Sequence, residues 1–239
     1  MDKIEELQVL INSANHIVFF GGAGVSTESG IPDFRSKDGL YKLKSKYGRP
    51  YEEMLSHDYF YEDTKTFYKF YKEFMITDAK PNKAHDFLAK LEKKKDVTII
   101  TQNIDGLHQI AGSTKVIELH GSIHRNYCTK CGRFYSLKEM LSLGEIPICP
   151  HCKGIIKPDV TLYQEMLSEE AIEKAINALR KADLLIVAGT SLKVYPANGL
   201  INYYRGNRIV VINKEPLYLS NVTLEINEPV GETFSKIAI

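Results

Sequence analysis

Several absences frame this chain of 239 residues. Neither sign of charge is in excess: 31 basic residues nearly cancel 30 acidic ones, leaving a formal charge of +1, so no global field draws the molecule towards nucleic acid or anionic lipid. No apolar run approaches the ~20 residues of a membrane span. The opening MDKIEELQVLINSAN is charged and amphipathic, without the apolar stretch and small-residue cleavage site of a secretory signal. Nor does any cysteine lie outside residues 128–152, or any internal repeat or low-complexity tract interrupt the chain. The expectation is a cytoplasmic monomer with no membrane and no direct nucleic-acid partner. Its cysteines then read as metal ligands before disulfides, and its length suffices to bury a full core.

What is present is an alternation. HIVFFGG (16–22), DVTIITQN (96–103), ADLLIVAGTS (182–191) and NRIVVINKE (207–215) are short apolar runs rich in β-branched residues, as buried parallel strands are. Helical patterns precede them in turn: EELQVLINSA, HDFLAKLEKK, SEEAIEKAINALRKA and NGLINYY. The alternation predicts an α/β fold with a Rossmann-like, doubly wound parallel sheet and a ligand site at the carboxyl ends of its strands. Those ends carry GGAGVSTESG, TQNIDG, AGTSL and INKEP. Two segments stand apart, residues about 36–78, helical and crowded with aromatics, and residues about 122–157, which hold every cysteine. We expect a single catalytic domain over 1–239, with a large lobe from about 1–35, 79–121 and 158–239 and a smaller lobe from the two insertions. The aromatic stripe reads as core.

Cys128-x-x-Cys131 and Cys149-x-x-Cys152 are separated by 17 residues, the spacing of a tetrahedral structural zinc. Four thiolates saturate the ion and leave no position for water, so this metal does no chemistry. In ELHGSIHRNYC, His120 and His124 are then not needed as ligands, and Gly121 stands where a metalloprotease helix would place its glutamate. GGAGVSTESG follows an apolar strand and is expected to open a helix whose N–H groups cradle a pyrophosphate, with Gly22 and Gly24 admitting close approach. As a G-x-G-x-x-G match it fails at Thr27, and no acidic residue ends a second strand ~20 residues on, so a turn chosen for geometry alone stays open. GIPDFRS then places Asp33, Phe34 and Arg35 in a loop where an ordinary nucleotide fold would run through a helix.

GAGVSTESGIPDFRS, TQNIDGLHQIAG, ELHGS, the paired CxxC knuckles, AGTSLKVYPA and INKEP, in this order and across nearly the whole chain, resemble the sirtuin family in its compact bacterial form. Sirtuins are NAD-consuming protein-lysine deacylases. The resemblance implies a Rossmann-type large lobe, a small lobe of zinc and helical modules, and a cleft holding NAD⁺ and an acylated lysine of a protein or peptide. By the same resemblance Gly22, Ala23, Gly24 and Thr27 line the phosphates, and Asp33, Phe34 and Arg35 lie on the loop closing the nicotinamide side. Gln102 and Asn103 bind the ribose, Asn103 also ordering a water, and Ile104 and Asp105 hold the carboxamide. Gly189, Thr190, Ser191 and Asn213 contact the adenosine half. Catalysis falls to His120 with Asn103. His120 is the general base that takes a proton from a ribose hydroxyl so that the acyl group passes to ADP-ribose, and an imidazole with a pKa near ~6.5 suits that role.

The substrate backbone is expected to pair, by strand addition, with Val160, Tyr163 and Gln164 on one side and Val194, Tyr195 and Pro196 on the other. Here the chain departs from the family. KPDVTLYQE stands for the common R-P-x-V-V-x-F-G-E, so Tyr163 and Gln164 replace Phe-Gly, and a side chain at 164 narrows the slot or adds a polar contact. Tyr68 and Tyr71 replace the Tyr-x-x-Arg pair that reads acidic acyl groups, which favours neutral acyl chains. The competing readings are an NAD-dependent mono-ADP-ribosyltransferase, a zinc-knuckle nucleic-acid module and a hydride-transfer dehydrogenase.

Overall fold

The computed structural model describes residues 2–33 and 47–239, so Phe34 and Arg35 lie outside the described residues. Six strands form one parallel sheet: β1 (His16–Gly21), β2 (Asp96–Thr101), β3 (Val116–Glu118), β7 (Leu184–Ala188), β8 (Ile209–Ile212) and β9 (Leu224–Ile226). Their order is β3-β2-β1-β7-β8-β9, every neighbouring pair parallel. Strand order therefore reverses at β1, and the crevice beyond the carboxyl ends of β1 and β7 is the topological switch point.

Alternate residues of β1 feed opposite cores, as period 2 requires. Ile17 and Phe19 join Leu7 and Ile11 of α1 (Lys3–Ser13), Leu88 of α5 (Lys83–Glu92) and Phe234 of α9 (Val230–Ser235). Val18 and Phe20 join Leu179 of α8 (Glu169–Lys181) and Leu200 on the other face. Burial on both faces explains why these strands read as continuous apolar runs. β3 and β9 escaped the sequence reading because each is three residues long, too short to show a period.

Two expected helices are replaced. NGLINYY lies in a 3-10 segment, Ala197–Tyr203, with Gly199 inside its first turn, where glycine penalises α-helix. The GGAG loop forms two 3-10 turns, Ala23–Val25 and Thr27–Ser29, and Gly30 at φ +84° ends the second, so no helix opens there.

A second, antiparallel sheet of β5 (Phe134–Ser136), β4 (Gly121–Cys128) and β6 (Ile156–Val160), in that order, packs with α2 (Tyr51–Met54), α3 (His57–Glu62), α4 (Thr64–Phe74) and α7 (Leu137–Ser142). The aromatic stripe is its core: Phe60, Phe67, Tyr68, Phe70 and Tyr71 are all buried with Met140 and Ile156. Tyr68 donates its hydroxyl to the Ile156 carbonyl and Tyr71 stacks on Phe67 at 5.7 Å. Arg125 of β4 spans the two sheets, reaching Glu118 of β3 at 2.6 Å and Asp159 of β6 at 2.7 Å. Among the described residues no helix is long and apolar enough to cross a membrane.

Candidate active site

At the switch point the loop after β1 packs directly on the loop after β7. Gly24 N–H donates to the Gly189 carbonyl at 2.7 Å, and Gly22 N–H to Ala188 at 3.2 Å. A Cβ on Gly24 would stand 2.8 Å from the Gly189 Cα, and one on Gly189, at φ +57°, would stand 2.4 Å from the Val25 nitrogen. Gly22 and Gly24 are thus required for loop-on-loop packing, whatever else they approach. Thr27 returns its hydroxyl to the Gly24 carbonyl at 3.0 Å, while Ala23 opens the first 3-10 turn. Asp33 closes the described part of this loop.

The end of β2 brings the next motif. Gln102 donates from Nε2 to Thr190 Oγ1 at 3.1 Å, tying the carboxyl ends of β2 and β7, and Thr190 also accepts the Leu192 N–H at 3.1 Å. Asn103 Nδ2 donates to Ser26 Oγ at 3.0 Å, and Ser26 Oγ donates onward to Asp105 Oδ2 at 2.7 Å. The other Asp105 oxygen accepts the Leu107 N–H at 2.9 Å, capping α6 (Leu107–Ile110). Ile104 accepts the Ile123 N–H at 3.0 Å and packs against the second core. Ser26, 1% exposed, is the hub that orients both the amide and the carboxylate. Sequence reading passed over it between Gly24 and Thr27; the signal was a serine amid a glycine-rich loop, which by itself only suggests a turn.

His120 follows β3. Its Nδ1 lies 2.8 Å from the Gln102 carbonyl, which can only accept, so Nδ1 carries the proton and Nε2 the free lone pair of the neutral ring. Burial pushes the His120 pKa below its ordinary value, against the opposing pull of that hydrogen bond, so the ring is a neutral acceptor at pH 7. Its own carbonyl accepts the Thr161 N–H at 2.9 Å, which joins His120 to the segment after β6. Gly121 is fixed by the meeting of two strands. At φ +75°, with a Cβ placed 1.9 Å from the Asp159 carbonyl oxygen, it lets β4 meet β6. His124 turns to the loop after β2: its Nε2 lies 3.0 Å from the Asp105 carbonyl, against the Gly106 turn at φ +71°.

Of the remaining residues, Ser191 follows Thr190, and Asn213, after β8, donates to the Glu215 carbonyl at 2.7 Å. Val160 is buried and pairs with Gly121. Tyr163 is 39% exposed, its N–H and carbonyl engaged by Leu55 and His57 at 2.9 Å each. Tyr195 projects into solvent, 84% exposed, between Val194 and Pro196.

The four Sγ atoms of Cys128, Cys131, Cys149 and Cys152 lie within 4.8 Å of one another. Zn–S bonds of ~2.3 Å place tetrahedral sulfurs about 3.8 Å apart, so the cluster fits one structural Zn²⁺ closed to water. The buried Tyr135 hydroxyl lies 3.1 Å from Cys149 Sγ, an outer partner that favours the thiolate a metal binds.

The Sir2 family model matches residues 22–196. The chain belongs to the Sir2 family. This sirtuin is 52% identical over 241 residues to an NAD-dependent protein deacetylase of Clostridium acetobutylicum, covering 99% of this chain and 98% of that one. It is 54% identical over 241 residues to one of Clostridium tetani, with the same coverage. Among solved structures it resembles Sir2 with a p53 peptide and NAD⁺, at 39% identity and a TM-score of 0.86, covering 98% of this chain and 97% of that one. It also resembles Sir2 with a deacetylated p53 peptide and 3'-O-acetyl ADP ribose, at 39% identity, a TM-score of 0.88 and the same coverage. Four of the sirtuin's six motifs, dispersed in sequence, are thus joined by hydrogen bonds from His120 to Gln102, from Gln102 to Thr190, from Asn103 to Ser26 and from Ser26 to Asp105.

Proposed function

We propose that this sirtuin is an NAD-dependent protein-lysine deacetylase that moves the acyl group from lysine to ADP-ribose. The observation that carries the reading is His120, neutral, with Nδ1 committed to the Gln102 carbonyl and Nε2 left to accept a proton beside the switch-point crevice. NAD⁺, when bound, supplies the ADP-ribosyl acceptor with nicotinamide as leaving group. His120 Nε2 takes the proton of a ribose hydroxyl, and a positioned base of this kind is typically worth about 10² to 10⁴ in rate. Asn103 and Asp105, held by Ser26, bind the ribose and the carboxamide. Ala23, Gly24 and Thr27 face the phosphates, and Gly189, Thr190, Ser191 and Asn213 the adenosine half. The acylated lysine enters between the segment of Val160, Tyr163 and Gln164 and that of Val194, Tyr195 and Pro196.

Deacylation is favoured over ADP-ribosyl transfer because the relatives at about half identity are named deacetylases, and one neighbouring structure holds a deacetylated peptide beside acetyl ADP ribose. Tyr68 and Tyr71 are both buried in an aromatic core and offer no cation for an acidic acyl group, which supports acetyl or longer neutral chains. The chain acts as one catalytic domain of two lobes and as a monomer, and thiols placed for zinc support a reducing, cytoplasmic setting. The test is mass spectrometry of an acetyl-lysine peptide incubated with and without NAD⁺, using wild type and His120→Ala. Loss of the acetyl mass only with NAD⁺ and wild type, with O-acetyl-ADP-ribose appearing in step, is expected. NAD⁺ consumption with ADP-ribose attached to the peptide would overturn the reading.

A further inference from the structure

Gln164 is one of the residues where this chain leaves its family's pattern, and its backbone is unusual. It sits at φ +77°, a left-handed conformation that glycine adopts freely and that disfavours a side chain. What holds it there is Asp58. Gln164 Oε1 accepts the Asp58 N–H at 3.0 Å and Gln164 Nε2 donates to Asp58 Oδ2 at 2.9 Å, across 106 positions of sequence.

The double bond completes the start of α3. A helix leaves its first N–H groups without internal partners, and here each has one: His57 N–H goes to the Tyr163 carbonyl at 2.9 Å, Asp58 N–H to Gln164, and Tyr59 N–H to Ser56 Oγ at 3.1 Å. Two of the three acceptors come from the segment assigned to the substrate slot. That segment and the helical module are therefore braced as one unit.

Two carboxylates flank the brace, and their situations differ. Glu165 is half-buried and compensated, with Lys157 Nζ at 3.0 Å, the Leu162 N–H at 2.8 Å and His57 Nδ1 at 3.1 Å. Asp58 is exposed, and among the described residues no cation lies within ion-pair distance of it. Its one side-chain partner there is a neutral amide, which orients the carboxylate without discharging it.

We propose that Gln164 and Asp58 form a specificity element at the rim of the peptide slot, favouring substrates with a lysine or arginine close in sequence to the acyl-lysine. This rests on the slot assignment above. An oriented but unneutralised carboxylate at the rim attracts a cation on a passing strand and repels an anion. Exposed pairs contribute about 0.2–1 kcal/mol, and attraction and repulsion add when basic and acidic peptides are compared, so the KM ratio is about fivefold at low salt and shrinks as salt rises.

The experiment is steady-state deacetylation of acetyl-lysine peptides that carry lysine, glutamine or glutamate at flanking positions, at two salt concentrations. The enzymes are wild type, Asp58→Asn, Gln164→Gly and, as a slot control, Val194→Asp, each checked by thermal melting. The expected result is a KM order of lysine below glutamine below glutamate for wild type, abolished in Asp58→Asn and weakened in Gln164→Gly, with KM for NAD⁺ unmoved. KM values within twofold across the peptides for wild type, or a preference retained in Asp58→Asn, would overturn the element while Val194→Asp still raises every peptide KM. If Val194→Asp also leaves every peptide KM unchanged, the slot assignment falls and takes the proposal with it.

Discussion

Ser26→Ala tests the site where sequence was least informative. The hydroxyl makes two buried hydrogen bonds, one donated to the Asp105 carboxylate at 2.7 Å and one accepted from the Asn103 amide at 3.0 Å. A bond to a charged group contributes about 1.5–3 kcal/mol and a neutral one about 0.5–1.5 kcal/mol. With Ser26 1% exposed, solvent does not replace them at once. If the Asn103 and Asp105 geometry is needed in the transition state, a loss of roughly 2–4.5 kcal/mol lowers kcat/KM for NAD⁺ by about 30-fold to 2000-fold, at 1.36 kcal/mol per decade. The assay is deacetylation with NAD⁺ varied at saturating peptide, alongside thermal melting. Because Ser26 acts through its partners, the cycle of Ser26→Ala with Asp105→Asn is strongly non-additive, the double variant being little worse than the poorer single one. A kcat/KM within threefold of wild type, or additive losses, would refute the hub.

Other outcomes follow from the same structure. His120 has a lowered pKa and must be neutral to act, so kcat/KM rises with pH through an apparent pKa below 6.5 and is flat from pH 7 to 8; an acid limb centred above 7 would contradict its burial. His108 is buried with neither ring nitrogen partnered among the described residues, and burial lowers its pKa to about 3, so it binds a proton more readily unfolded than folded. Stability is then full above the unfolded value of ~6.5 and lost as pH falls towards 3, with urea titrations between those limits showing the slope and His108→Gln flattening it. Metal analysis finds one zinc per chain, and Cys149→Ser unfolds the small antiparallel sheet. Tyr135→Phe weakens zinc affinity about tenfold in chelator competition, as loss of an outer partner does.

Much of this protein was legible in one dimension. Strands buried on both faces must be apolar throughout, so β1, β2, β7 and β8 announced themselves, and the doubly wound sheet with its site at the carboxyl ends followed. Paired CxxC spacing announced a closed metal site because tetrahedral coordination requires it. The role proposed for His120 rested on the company of other motifs, since no property of a single histidine distinguishes a base from a filler of the core.

Tertiary structure decided what depends on a partner distant in the chain. Ser26 became a hub because β1 and β2 lie side by side and bring it within hydrogen-bond reach of residues 77 and 79 positions away. Gly24 and Gly121 owe their identity to backbone atoms of Gly189 and Asp159, which no local pattern reveals. The 3-10 turns replaced the expected helix for a related reason: the Gly22 and Gly24 N–H groups bond to Ala188 of β7 and to Gly189 beyond it, so the start of the loop answers to a neighbour as well as to its own propensity. Gln164, a departure from the family in sequence, acquired meaning only when α3 offered Asp58 to its side chain. Composition and spacing encode what a segment must bury or bind by itself. Pairings between segments arise from the packing that brings them together.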